Sequence, residues 1–154
     1  DYTDTTVYGK KFLFYEEWDL LSSEMLIACD KELQNLCSVI PLDLSAVQSL
    51  RAYYESDNPY AMTKKISSIT AFQGIESPMI SYHGGWIPDF SSRYFTADFS
   101  FGLKIIKDIA DLFDVLIPNI DTVWNWYNRI APKDASKAFH LTLNQRQFLN
   151  LYFK

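Results

Sequence analysis

From Glu16 to about Val39, the apolar residues Trp18, Leu21, Met25, Cys29, Leu33, Leu36 and Ile40 recur every three or four positions with polar residues between them. That spacing puts them on one stripe of an α-helix, and Pro41 stops it. A second helix is predicted to reach Tyr54 from a cap at Asp43 or Ser45. After the turn "SDNPY", a third is predicted from Pro59, a residue suited to a first turn, to about Phe72. Farther on, Leu103, Ile106, Ile109, Ala110 and Phe113 make another apolar stripe, leaving Lys104, Lys107, Asp108 and Asp111 on the side expected to face water. Pro118 opens a helix through Asp121, Val123, Trp124 and Tyr127 that ends near Pro132, and Thr142 or Asn144 caps a last one, "QRQFLNLYF". Strand signals are few: "KKFLFYEEW" at 10–18 is the one short run that could be extended. The longest irregular stretch is "QGIESPMISYHGGWIPDFSS", which holds three of the five glycines and two of the six prolines. Loops of that length in compact domains generally carry function or move. The pattern adds up to five or six helices with almost no sheet: one all-α domain over residues 1–154, without repeats, low-complexity segments or an internal boundary.

Composition narrows the partners. With 154 residues, 48% hydrophobic and 21% charged, the chain can bury a core and is not a disordered segment. Aromatics at 16% suit a core or groove built on Phe and Tyr. A net charge of -5 argues against nucleic acid, whose phosphates need a basic face. No apolar run approaches the ~20 residues that cross a bilayer, and no signal peptide is visible at the start. The chain opens on Asp1 rather than Met, which is expected of a processed or trimmed chain or a piece of something longer. Cys29 and Cys37 fall in one helix with Cα atoms ~12 Å apart, too far for a disulfide. Reduced thiols in a helix point to a cytoplasmic location.

Chemistry is easier to exclude than to find. Neither GxGxxG nor GxxxxGK[ST] occurs, "HGG" at 83–85 is no substitute, and no GxSxG elbow exists. The only histidines, His83 and His140, lie far apart and neither pairs with a Cys or carboxylate at metal-ligand spacing. What remains is "SSRYFTADFSFG" at 91–102, with Arg93 and Asp98 five residues apart among aromatics. From the residues alone, Arg93 is equally a surface ion-pair partner, Asp98 a helix N-cap, and His83 a solvated loop residue.

The same stretch, extended to "SSRYFTADFSFGLKIIKDIADLFDVLIPNIDTVWNWY", resembles the hallmark segment of the C-terminal domain of opine dehydrogenases, the octopine and nopaline dehydrogenase family. The residues that carry it are the run Arg93-Tyr94-Phe95-Thr96-Ala97-Asp98, then Phe101-Gly102, then Pro118-Asn119-Ile120-Asp121. Upstream, "FLFYEEW" at 12–18 and "ACDKEL" at 28–33 resemble two further landmarks in the right order.

The resemblance implies a helical bundle of the 6-phosphogluconate-dehydrogenase C-terminal-like type, working in a two-domain enzyme beside an N-terminal Rossmann domain that holds NAD or NADP. It implies the reductive condensation of an α-keto acid with an amino acid through an imine. Asp98 matches the family's Asp that holds the catalytic His, and Arg93 matches the Arg that fixes a substrate carboxylate. The His itself falls upstream of Asp1, so neither His83 nor His140 inherits its role. One departure is Ala97, where the family usually has Glu. The chain alone is expected to bind no nucleotide, to be monomeric or a weak homodimer, and to expose an apolar face toward the missing domain. Two other readings compete: a non-catalytic helical interaction module, and the helical domain of another hydroxyacid-type dehydrogenase.

Overall fold

In the computed structural model, which describes residues 6–130 and 139–153, the longest helix begins at its cap rather than where its apolar stripe begins. Helix α1 spans Leu20–Val39, and the Asp19 carboxylate accepts the Ser22 N–H at 2.7 Å. The start predicted at Glu16 is early because the first turn of a helix needs acceptors for its free N–H groups, and Asp19 supplies one. Trp18 stays outside the helix, its indole Nε1–H donating to the fully buried Ser23 hydroxyl at 2.9 Å. That hydroxyl also meets the Thr63 hydroxyl at 2.7 Å, tying α1 to α3 (Pro59–Ser67).

Helix α2 is a single turn, Leu50–Tyr53, capped by Ser49 rather than by Asp43 or Ser45. Asp43 closes its own local turn instead, accepting the Ser45 N–H and hydroxyl. Asn58 caps α3, and a 3₁₀ turn, Thr70–Phe72, continues to the predicted end.

The irregular stretch contains a hairpin that the sequence did not announce. Strand β1 (Met79–Tyr82) pairs antiparallel with β2 (Gly85–Pro88), with Tyr82 opposite Gly85. The link is His83-Gly84, at φ 45° and 78°, the left-handed pair that a two-residue primed turn demands. Gly85 is required for a different reason: a Cβ there would stand 2.6 Å from the Tyr8 carbonyl oxygen. Tyr8 and Leu13 bridge to Trp86 and Glu76, so the segment before α1 is stitched to the hairpin.

One helical run follows. Helix α4 (Arg93–Thr96) passes through a π-helical turn (Asp98–Leu103) into α5 (Lys104–Leu112). Helix α6 is Pro118–Ile130; the predicted stop at Pro132 lies outside the described residues. Asn144 caps α7 (Gln145–Leu149) in a reciprocal box with Gln147. The core sits between α1, α5 and α6, where Leu36, Ile40, Ala110, Ile117 and Ile120 are buried together. Apart from the hairpin, the described residues form an all-α bundle.

Two charged groups expected in water are used inside the fold. The Asp108 side chain is only 8% exposed; it pairs with Lys104 and accepts the Leu141 N–H at 2.7 Å. Lys107 reaches across to Asp121 on α6.

Candidate functional site

The stretch around Arg93 is built without help from its charged side chains. Ser92 occupies the cap position of α4, and Ala97 N–H bonds the Arg93 carbonyl at 2.9 Å. Phe101 and Gly102 then both donate to the Ala97 carbonyl, at 3.0 and 3.3 Å, and the second of these bonds opens the π turn. Asp98 therefore lies inside a helical run and is not its N-cap; it makes no capping bond. The backbone is already helical from Arg93, so the N–H groups beyond Asp98 find carbonyls in the preceding turn. Arg93 and Asp98 are both exposed, and among the described residues neither side chain makes a hydrogen bond or an ion pair.

The aromatic residues between and beside them face a different way. Phe95 on α4 and Phe99 on the π turn stack at 6.1 Å and both pack on Trp126 of α6, at 6.4 and 6.0 Å. Phe99 also stacks on the buried Tyr127 at 4.2 Å. Phe95, Phe99 and Trp126 form one wall of an open cleft of about 960 Å³. The other wall is the start of α1 with the segment before it, including Trp18, Leu21 and Met25. Arg93 and Asp98 do not line this cleft; they belong to the helical run that carries one of its walls. That run is also joined to the "FLFYEEW" landmark, since Phe14 stacks on Tyr94 at 5.9 Å.

Two carboxylates, those of Glu17 and Asp19, are in the cleft lining. Glu17 is paired with Lys10 at 2.5 Å. Hydrogen bonding from Ser22, by its side chain and then its backbone N–H, holds the Asp19 carboxyl below the usual carboxylate range. Cys29 is also in the lining, but burial, with the Glu32 charge in second place, pushes its thiol up to about 11. That keeps the thiol protonated near neutral pH. Both cysteines are free.

Neither histidine lines the cleft. His83 sits at the hairpin tip, edge-on to Tyr82 at 4.2 Å, and His140 faces Asp108 at 3.6 Å. Among the described residues no group of His, Cys, Asp or Glu could hold a metal ion, and no helix is long and apolar enough to cross a membrane. Among the described residues the two strands form an antiparallel hairpin, and neither leads through a glycine-rich turn into a helix.

Other functional-looking acids have structural duties. Glu32 accepts from Asn119 N–H at 2.8 Å, Asn119 Nδ2 at 2.6 Å and Ile120 N–H at 2.9 Å, capping α6 from α1. Asp30, buried in the same helix, accepts the Leu50 N–H and so helps start α2. Two of the landmarks, "ACDKEL" and the Pro118–Asp121 run, are thus partners in one joint. Trp126 escaped the sequence reading because its neighbours Trp124 and Tyr127 carry the apolar spacing; only the aromatic excess pointed to a groove.

Comparisons with known proteins agree with this architecture. Residues 5–131 match the family described as NAD/NADP octopine/nopaline dehydrogenase, alpha-helical domain. Octopine dehydrogenase of Pecten maximus is 30% identical over 125 residues, covering 74% of this chain and 31% of the relative. Tauropine dehydrogenase of Arabella iricolor is 32% identical over 100 residues, 60% of this chain and 25% of the relative. A solved octopine dehydrogenase with NADH and pyruvate superposes with a TM-score of 0.73 at 28% identity, over 82% of this chain and 33% of that one. A second, with NADH and L-arginine, gives 0.71 at 27% identity, over 82% and 34%. The chain spans a quarter to about a third of the length of these relatives.

Proposed function

Because this chain belongs to the NAD/NADP octopine/nopaline dehydrogenase family, through its alpha-helical domain, we propose that it is the substrate-binding and catalytic half of an opine dehydrogenase. In this reading a nucleotide-binding domain of the same enzyme supplies NADH or NADPH, which provides the reducing hydride. This chain supplies the groups that hold the keto acid and the amino acid, and the enzyme works in the cytoplasm.

The observation that carries the reading is the idleness of Arg93 and Asp98. Both are exposed on a helical run, and neither is spent on a cap, an ion pair or a side-chain hydrogen bond among the described residues. An arginine fork without a protein partner is free to take the carboxylate of an α-keto acid through two parallel hydrogen bonds. That fixes the orientation of the carbonyl toward the incoming amine, and orientation is worth large factors in rate. Asp98 plays its part through a histidine outside this chain. Its carboxylate accepts the ring N–H, sets the tautomer, and supports the imidazolium once the ring has taken a proton.

The supporting geometry is local. The stacking of Phe14 on Tyr94 holds the "FLFYEEW" landmark, which follows that histidine in the family, against the Arg93 run. The π turn keeps Phe95 and Phe99 on the cleft wall while Arg93 and Asp98 remain outside it.

The test uses the full enzyme that carries this domain, incubated with NADH or NADPH, pyruvate and a set of amino acids. The expected product is an N-(1-carboxyethyl) amino acid, seen by mass spectrometry together with oxidation of the nucleotide. Reduction of the keto acid to a hydroxy acid without incorporation of nitrogen would instead support a hydroxyacid-type dehydrogenase.

A further inference from the structure

Resting on the reading above, we propose that residues 139–141 are a strap that fixes the direction in which Arg93 and Asp98 face, because it holds the π turn between α4 and α5. In that role Phe139 is a positioning residue, acting through its backbone N–H.

The π turn is the point at which the helical run has an alternative. Gly102 N–H reaches back five residues to the Ala97 carbonyl at 3.3 Å, and Lys104 N–H does the same to the Phe99 carbonyl. The Ala97 carbonyl also takes the Phe101 N–H at 3.0 Å, a bond of ordinary α spacing, so the α form of the turn is already half made. A plain α turn holds one residue fewer, and one residue is ~100° of rotation about the axis. Arg93 lies on α4, before the turn, and Asp98 is its first residue. Closing the turn to α would therefore swing both relative to α5. Single π turns are rare, and they occur frequently at functional sites.

The strap bonds to the middle of this turn. Ser100 is buried, and its carbonyl accepts the Phe139 N–H at 3.0 Å. A donor from outside draws a helical carbonyl away from the axis, and the wider turn accommodates that tilt. Two residues on, Leu141 N–H donates to Asp108 at 2.7 Å, and His140 faces the same carboxylate at 3.6 Å. Asp108 is tied in turn to Lys104, the first residue of α5 after the turn. The Gln145 amide donates to the Leu112 carbonyl at 2.6 Å, at the far end of α5. The strap thus has one anchor inside the π turn and others on the helix that the turn is measured against.

The experiment is Phe139→Pro in the full enzyme, which removes the N–H, beside Phe139→Ala, which keeps it. With the amino acid fixed, kcat/KM for pyruvate should fall by about 10²-fold in the proline variant, through kcat and KM together, since both Asp98 and Arg93 lose their direction. The alanine variant should keep most of the activity. The limb of the pH profile that reports the histidine should move to lower pH in Phe139→Pro, as in Asp98→Asn, because a carboxylate turned away from the ring no longer supports its charge.

A lower Tm with kcat, KM and pH profile unchanged overturns this proposal and leaves the opine dehydrogenase reading intact. So does an equal loss in Phe139→Ala, which would trace the effect to the side chain. Hydrogen exchange on the unaltered enzyme covers the case in which Phe139→Pro does not fold: the Phe139 and Gly102 amides should open together, with one opening free energy. Gly102 staying protected while Phe139 exchanges would mean that the π turn stands without the strap, and again overturns the proposal alone. Absence of an N-(1-carboxyethyl) amino acid from the unaltered enzyme overturns both.

Discussion

Asp98 and Asp108 lie ten residues apart on one continuous helical run, and they live in opposite circumstances. Asp108 is nearly buried, pairs with Lys104, accepts the Leu141 N–H, and so pins the C-terminal segment to α5. Asp98 is exposed and, among the described residues, bonded to nothing through its side chain. Arg93 is its match in idleness, where Lys104 and Lys107 are both engaged. The difference separates charges that build the fold from charges the fold merely presents. A carboxylate at a helix start invites the name of cap, and here the bonding shows that Ser49, Asn58, Asn144 and Asp19 cap helices while Asp98 does not. Presented charge on a rigid scaffold is where binding and catalysis are to be sought.

The largest effect expected is therefore kinetic and confined to the idle pair. In the full enzyme, Asp98→Asn should lower kcat by roughly 10²-fold or more, the scale seen when a carboxylate that orients a histidine is lost. Arg93→Ala should instead raise KM for the keto acid by about 10- to 100-fold, from a lost charge-assisted carboxylate contact of about 1.5–3 kcal/mol. Thermal melting should place both within about 0.5 kcal/mol of the parent, as for surface substitutions that touch no network. Unchanged kcat in Asp98→Asn would remove Asp98 from the site.

The engaged side of the comparison should respond in stability and not in kinetics. Glu32 accepts three hydrogen bonds at the start of α6, so Glu32→Ala strands two backbone N–H groups and an amide. The expected loss is about 2–3 kcal/mol, which lowers Tm by several degrees in a domain of this size. Loss of activity without loss of Tm would mean that Glu32 belongs to the site instead of the scaffold.

How much of this could be read from the chain depended on whether the signal was local. The period of apolar residues and the prolines at 41, 59 and 118 gave α1, α3 and α6 nearly as they are. Helix starts were less legible, because several polar residues compete for each cap and the winner is set by backbone geometry, as with Ser49 over Asp43. The hairpin was hidden since its turn is His83-Gly84, a pair whose left-handed backbone only Gly84 advertises. The burial of Asp108 could not be read either: its partner Leu141 is far along the chain, and helical spacing alone sends it to water. The resemblance supplied Arg93 and Asp98, but the cleft wall needed α6 to bring Trp126 against Phe95 and Phe99.

The smallest effect returns to Asp108 and concerns acid. Burial raises its carboxyl, but the hydrogen bonds from Lys104 and the Leu141 N–H, with the charges of Lys104 and His140, outweigh it and leave the group below its ordinary value of 3.8. The unfolded chain then takes up the proton first. Stability from this group is full above the unfolded value near 3.8 and is lost as pH falls through the lower folded value. One proton limits the slope to about 1.4 kcal/mol per pH unit. Urea unfolding between pH 5 and pH 3 should show this loss in the parent and less of it in Asp108→Asn, which has no carboxyl to titrate. An identical acid slope in both would mean that the Lys104–Asp108–Leu141 joint does not hold the C-terminal segment, and the contrast with Asp98 would rest on Glu32 alone.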